Sequence, residues 1–243
     1  MVNGLYTARD GMVLMQQMVD NTSHNLANAN TTGFKKSLMS TMAAVDNRRN
    51  DEALLVHDET HWMAENRVSW QQGSLVSTEN QLDIALEGEG LLMVETPEGV
   101  RFTRGGSLTI NPHNELTTLQ GFSVLDEAEN PILLDGAHIS ISNDGTIEVD
   151  GMFQAKLAVV DFEDKSLLLR EGRGTYAPQD LAMDYEIATD FKVRQGYLEA
   201  SNVNIIESMV DMIRFQRNYE LDQKAVHSID ETLQKAVNEI GRL

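Results

Sequence analysis

Apolar side chains recur near the start of the chain at Leu5, Ala8, Met12, Met15, Val19, Thr22 and Leu26. The steps alternate between three and four residues, which is a heptad seam with only Thr22 polar, and it predicts an amphipathic helix. Asn21, Asn25 and Asn28 form a second, amide-bearing stripe. The helix is expected to end near Asn30, with Gly33 in the left-handed C′ conformation and Phe34 packing back on the last turn. The other end mirrors this. Ile205, Met209, Met212, Gln216, Tyr219, Gln223, Val226, Asp230, Leu233, Val237 and Ile240 alternate by four and three. Asn204 and Glu207 have the spacing of a capping box. From Asn204 to Leu243 there is no proline and the only glycine is Gly241, so a helix of roughly 55–60 Å is expected.

The middle changes period. Twelve of the 17 glycines and all four prolines fall between Gly73 and Pro178. Short apolar runs alternate there with turn signals: Leu82–Leu86, Leu91–Val94, Ser107–Ile110, Ser123–Leu125, Ile139–Ile141, Thr146–Val149, Phe153–Val160 and Leu167–Leu169. Asp144-Gly145 and Asp150-Gly151 are hairpin signals. The fold class that follows is α+β: long N- and C-terminal helices pairing as a coiled coil, with a central all-β domain of short strands. The boundaries are 1–35 for the first helix, 36–72 for a connector, 73–195 for the β-domain and 196–243 for the second helix. The connector lacks glycine and proline and has weak periodicity, so it reads as irregular, with room for one helical or extended stretch. Each helix exposes too much Met, Leu and Ile surface to remain alone, which points to self-association through the ends.

Charge sharpens this. The net charge is −19, which argues against nucleic acid, whose phosphates need clustered Lys and Arg. Residues 73–195 hold 22 acids and 8 bases, whereas residues 1–35 hold two of each. No apolar run is long enough to span a bilayer, and no basic segment followed by an apolar one marks a cleaved secretory signal. The absence of cysteine excludes disulfides and thiolate chemistry.

The candidate chemistry is thin. His57 and His61 stand four apart and could share a metal on one helical turn, but the acid is misplaced for a His-Glu-x-x-His site, and a solvated polar connector is the better reading. Some pair among the middle-domain carboxylates will be close by chance, with no aromatic cluster to mark a sugar site. Gly88-Glu89-Gly90 lacks the rest of a phosphate loop and reads as a turn. No Gly-x-Ser-x-Gly nucleophile motif occurs. The chain is therefore read as having no catalytic residue, no cofactor and no metal.

Longer stretches carry a resemblance. Asn25-Leu26-Ala27-Asn28-Ala29-Asn30-Thr31-Thr32-Gly33-Phe34-Lys35 resembles the N-terminal signature of bacterial flagellar rod and hook proteins. Gln195-Gly196-Tyr197-Leu198-Glu199-Ala200-Ser201-Asn202-Val203-Asn204 resembles their C-terminal signature. Between them, Asn80 through Gly90 and Thr103-Arg104-Gly105-Gly106 resemble the family's β-domain. The start Gly4-Leu5-Tyr6-Thr7-Ala8 is most similar to the proximal rod subunit, with the distal rod subunit next; His24 and Leu91-Leu92 depart from the family pattern. The resemblance implies a structural subunit, exported without signal cleavage by the flagellar type III apparatus. It would assemble helically across the periplasm into the shaft between motor and hook. The implied partners are further copies, other rod subunits, hook-side axial proteins, membrane-ring proteins and the surrounding periplasmic ring. The expected assembly interface comprises Leu5, Met12, Met15, Val19, Asn25, Leu26, Asn28, Gly33 and Phe34 with Asn202, Ile205, Met209, Met212, Tyr219, Val226 and Leu233. A secreted cell-wall-cutting enzyme with helical oligomerisation ends is the rival reading.

Overall fold

A computed structural model describes residues 2–45, 60–172, 174–180 and 183–240. Two helices frame the chain, α1 (Val2–Ala27) and α2 (Ile205–Ile240). The strands between them are β1 (Ser37–Val45), β2 (Thr60–Val68), β3 (Leu75–Ser77), β4 (Ile84–Gly88), β5 (Leu91–Thr96) and β6 (Gly99–Thr103). They continue with β7 (Leu108–Ile110), β8 (Leu116–Thr118), β9 (Ser123–Val124), β10 (Ile139–Ile141), β11 (Thr146–Val149) and β12 (Met152–Lys156). The last are β13 (Val159–Asp161), β14 (Leu168–Gly172), β15 (Thr175–Pro178), β16 (Glu186–Ile187), β17 (Phe191–Gln195) and β18 (Tyr197–Glu199). The α+β class with a mainly β centre is as the sequence pattern predicts. The chain divides into two compact units. One holds residues 1–27, 37–69 and 203–243; the other holds residues 28–36 and 70–202.

In the helical unit, α1 and α2 pack against each other, and β1 and β2 form an antiparallel ladder from Ser37↔Val68 to Val45↔Thr60. The stretch read as an irregular connector thus contributes two nine-residue strands. Asn25 explains how they are seated. Its side chain is buried, its Oδ1 accepts from Ser37 N at 2.8 Å, and its Nδ2 donates to Ser37 O at 2.8 Å. The amide reproduces one rung of a sheet and so ties the first residue of β1 to the helix. Asn21 extends this, donating to Asn66 Oδ1 at 3.4 Å and accepting from Asn25 at 3.3 Å. α2 starts as predicted, with Asn204 Oδ1 accepting from Ile206 N and Glu207 N at 3.1 and 3.3 Å, an N-cap that satisfies two orphan donors.

The β-unit is built on a sheet of order β14-β15-β6-β5-β9-β8-β7, with β13 bridging β5 to β16. Smaller ladders join β10-β11-β12, β17-β4 and β18-β3. Asp150 and Gly151 both take positive φ, 52° and 80°, as a two-residue turn between β11 and β12 requires. The core gathers Ile84, Leu92, Val94, Val124, Ile147, Val159 and Val193, each at most 1% exposed. The apolar run Phe153–Val160 is not one strand; it divides into β12 and β13.

Candidate assembly interface

The heptad positions on α1 fall where the pattern placed them, on the covered face. Met12, Met15, Val19 and Leu26 are half-buried. The side chain of Leu5 lies outside the described residues, as does all of His57; His61 stands on β2. On α2 the covered stripe is Ser208, Met212, Phe215, Tyr219, Asp222, Val226, Ile229 and Leu233. Met212, Tyr219, Val226 and Leu233 belong to the predicted seam. The seam positions Met209, Gln216, Gln223 and Asp230 fall off the covered stripe and are exposed, as is Ile205. The neighbouring set Ser208, Phe215, Asp222 and Ile229 takes their place. The covered stripe keeps the seven-residue repeat and takes every other position one residue earlier than predicted, so the difference is one of register, set by packing against the rest of the unit.

A further set of predicted interface residues is committed inside the chain. Asn25 is buried beneath Ser37, as above, and Asn28 is half-buried. Gly33 is left-handed, with φ 69°, but it stands six residues beyond the end of α1 and does not cap it. A Cβ there would lie 2.6 Å from the Arg104 carbonyl and from Gly105 N, so glycine is needed for close approach as well as for conformation. Phe34 is buried and lies under the Arg170 guanidinium, 4.2 Å from its ring centroid, a cation–π contact rather than a helix-end contact. Asn202 accepts from Lys36 N at 2.6 Å and donates to Gln71 O at 2.9 Å. Asn25, Gly33 and Phe34 are buried within the chain.

What these segments build is a buried charge cluster within the β-unit. Lys35, Arg104 and Glu199 are all nearly inaccessible, and Glu199 joins the other two. Lys35 Nζ donates to Glu199 Oε1 at 2.6 Å and Arg104 Nε donates to Oε2 at 2.7 Å. Gly73 N donates to Oε1 at 2.9 Å. The second positive charge is absorbed by carbonyls. Lys35 Nζ also reaches Gln71 O at 2.9 Å, and Arg104 reaches Leu86 O at 2.8 Å, Gly88 O at 2.6 Å and Gly90 O. Burial opposes the charged form of Glu199, but Arg104 and then Lys35 outweigh it and hold its carboxyl below the ordinary 4.5. Burial dominates at Lys35 and holds its ammonium below the ordinary 10.5 despite Glu199. Every ion in the cluster is paired and hydrogen-bonded, the condition under which buried charge is tolerated.

In the sequence, Lys35, Arg104 and Glu199 stand inside three separate motifs, and no local pattern marks a role for any of them. A signal was available: each is a lone charge within an otherwise neutral motif, and the signs are complementary. The cluster is sealed from solvent, so it is a staple and not a place where a substrate could react. Among the described residues no three His, Asp or Glu side chains are grouped to hold a metal, and no helix is long and apolar enough to cross a membrane.

Comparison with known proteins matches the same segments. Residues 5–35 match the model described as flagella basal body rod protein, residues 85–149 the flagellar hook protein FlgE/F/G D1 domain, and residues 194–239 the flagellar basal body rod FlgEFG protein C-terminal model. The flagellar basal-body rod protein FlgG of Borreliella burgdorferi is 31% identical over 98% of each chain. The flagellar hook-basal body complex protein FlhO of Bacillus subtilis is 29% identical over the full length of both. The flagellar basal-body rod protein FlgF of Rhizobium meliloti is 28% identical over 99% of each. Matched at both ends and in the β-unit, and nearly full length against relatives at this identity, the chain belongs to the flagellar basal-body rod family.

Proposed function

We propose that the chain is a structural, non-enzymatic subunit of the flagellar rod, placed in its proximal part. Its terminal helices would pair as a coiled coil with those of neighbours to form the inner layer of a helical tube. Residues 73–195 would form the outer, acidic layer, and residues 36–72 would link the two. The observation that carries this reading is the convergence of the end signatures and the Arg104 motif on one buried cluster. A subunit that bears torque needs a body that resists shear, and a network spread over Lys35, Arg104, Glu199 and four carbonyls distributes the load within the β-unit. Met12, Met15, Val19, Leu26, Met212, Tyr219, Val226 and Leu233 then act by holding the helix pair together, and exposed Ile205 and Met209 meet neighbours. Export by the flagellar type III apparatus and contacts with rod, hook-side, membrane-ring and periplasmic-ring proteins follow from that placement, in the basal body across the periplasm.

The proximal assignment rests on the first residues, Gly4-Leu5-Tyr6-Thr7-Ala8. The distal position is the second reading, since rod proteins of both printed names, FlgF and FlgG, align with nearly the whole chain. A cryo-EM map of isolated basal bodies tests both, by placing this sequence in the proximal part of the rod, in its distal part or outside it. Release of soluble fragments from purified cell wall by the purified chain would instead favour the wall-cutting enzyme.

A further inference from the structure

α2 carries apolar side chains on two opposite sides. At roughly 100° per residue, Ile206, Val210, Ile213 and Arg217 form a stripe about 180° from the covered one. They are spaced by four, three and four, and the three aliphatic members are 76%, 59% and 51% exposed. Arg217, which ends the stripe, has no ion pair or hydrogen bond among the described residues. Farther along the same helix pair, Ala8, Gly11 and Leu14 of α1 face Asp222, Ala225 and Ile229 of α2 across a groove of about 530 Å³. The groove is apolar except for Thr7 at its rim and Asp222. Gly11 makes room for that acid, since a Cβ on Gly11 would lie 3.0 Å from Asp222 Oδ2. Asp222 is half-buried and, among the described residues, has no cation partner.

Resting on the rod reading above, we propose that the occupant of this groove is the α2 stripe of a second copy of the chain, with Ile206, Val210 and Ile213 on its apolar wall and Arg217 paired to Asp222. The two halves fit in kind: an exposed aliphatic ridge ending in an unpaired cation, and an apolar trough holding an unpaired acid. They also differ in place, the centres being separated by roughly 20 Å along α2 at 1.5 Å per residue. A patch that pairs with a different patch on the next copy makes a head-to-tail contact, and such contacts propagate as open helices instead of closing as two-fold dimers. The geometry thus supplies a polymer direction, which symmetric packing of like seams does not.

The absence of cysteine allows a direct test with the full-length chain. Val210→Cys and Ala8→Cys proteins are prepared separately, then mixed and treated with a short bismaleimide, both in concentrated solution and in basal bodies from cells producing both. A covalent adduct between the two variants, with little homodimer from either alone, is expected. Rapid homodimerisation of Val210→Cys alone would show stripe-to-stripe packing and overturn the proposal, as would absence of the mixed adduct in both settings. Charge reversal gives an independent reading. Arg217→Asp and Asp222→Arg should each weaken self-association at least about tenfold, the scale of a desolvated charge pair, and the double reversal should recover most of it. Single reversals that associate like the unaltered chain, or a folded double variant no better than the singles, would overturn the pairing. If the unaltered chain is found in rods while these variants enter them equally well, this contact fails and the rod reading stands. If the chain is absent from rods, the rod reading itself fails.

Discussion

The β-unit and the helical unit treat their buried groups differently. In the β-unit the core is closed and even its charges are satisfied: Glu199 is met by Lys35, Arg104 and Gly73 N, and Arg104 by three carbonyls. In the helical unit, α2 leaves Ile206, Val210 and Ile213 largely in water, and among the described residues Asp222 has no cation and the buried Ser208 hydroxyl has no partner. A unit that keeps its contacts internal is stable by itself. A unit that leaves apolar surface uncovered reaches its full stability only when neighbours arrive, because uncovered area contributes nothing until it leaves water.

The comparison breaks most sharply at Glu199. Glu199→Ala leaves two cations buried without their carboxylate and should lower the stability of the β-unit by about 3–5 kcal/mol. Urea titration, with hydrogen exchange at the β4 and β17 amides, reads this out. Met209→Ala on exposed α2 should stay within about 0.5 kcal/mol. Equal losses would erase the distinction between the units. Acid probes the same contact. The folded carboxyl lies below 4.5, so as pH falls below that value the unfolded chain takes up its proton first. The contribution of Glu199 is complete above about pH 4.5 and declines as pH falls through the folded value. Lys35, also held low, loses its proton first in the folded chain, so it adds stability as pH rises toward 10.5. Glu199→Gln should flatten the acid limb of a stability–pH curve for the β-unit; an unchanged limb would assign it to other carboxylates.

A smaller loss is expected at Gly33. Gly33→Val must hold a β-branched residue at φ 69° and place a Cβ 2.6 Å from backbone atoms. Left-handed strain costs about 1–3 kcal/mol, with overpacking in addition. Gly33→Ala introduces the same Cβ and should lose nearly as much. If alanine is tolerated and valine is not, bulk rather than close approach is the constraint. Either way the damage belongs to the β-unit, where Gly33 N donates to Glu199 O at 2.7 Å, although the sequence places Gly33 next to a helix.

That displacement shows which parts of the molecule local pattern can reach. Helix existence, the Asn204 cap, the two Asp-Gly turns and half of the α2 seam follow from spacing of a few residues, and they are where the pattern put them. The strands Thr175–Pro178 and Phe191–Gln195 carry no such local signal. They are short, polar at several positions and paired with distant partners: Val193 with Leu86 and Tyr176 with Phe102. The Asn25 stripe reads from sequence as a surface because nothing nearby announces that Ser37 will return to it. The Lys35–Glu199 pair spans 164 residues, so only complementary lone charges in separate motifs hint at it. The exposed α2 stripe was hidden for the opposite reason. A helix apolar on two sides offers more than one heptad reading, and tertiary packing chooses which is covered.

The smallest effect concerns two buried polar side chains of the helical unit. Asn25 is 3% exposed and bonds Ser37 at both its amide oxygen and its amide nitrogen; Ser208 is 2% exposed and its Oγ has no partner among the described residues. Similar burial with opposite satisfaction predicts opposite signs. Asn25→Ala strands the Ser37 N–H and C=O and should cost about 1–3 kcal/mol, with faster exchange of the Ser37 amide. Ser208→Ala removes a hydroxyl that was dehydrated without compensation, while its backbone N–H keeps its bond to Asn204 O at 3.0 Å. Stability should therefore be unchanged or rise by at most about 1 kcal/mol. The isolated chain and the assembled rod separate two causes. If Ser208→Ala is neutral in the isolated chain but slows rod assembly, the hydroxyl finds its partner in a neighbouring molecule, as the open character of this unit implies. If it destabilises the isolated chain by more than 1 kcal/mol, the hydroxyl is already satisfied within the subunit, and at this position the helical unit is as closed as the β-unit.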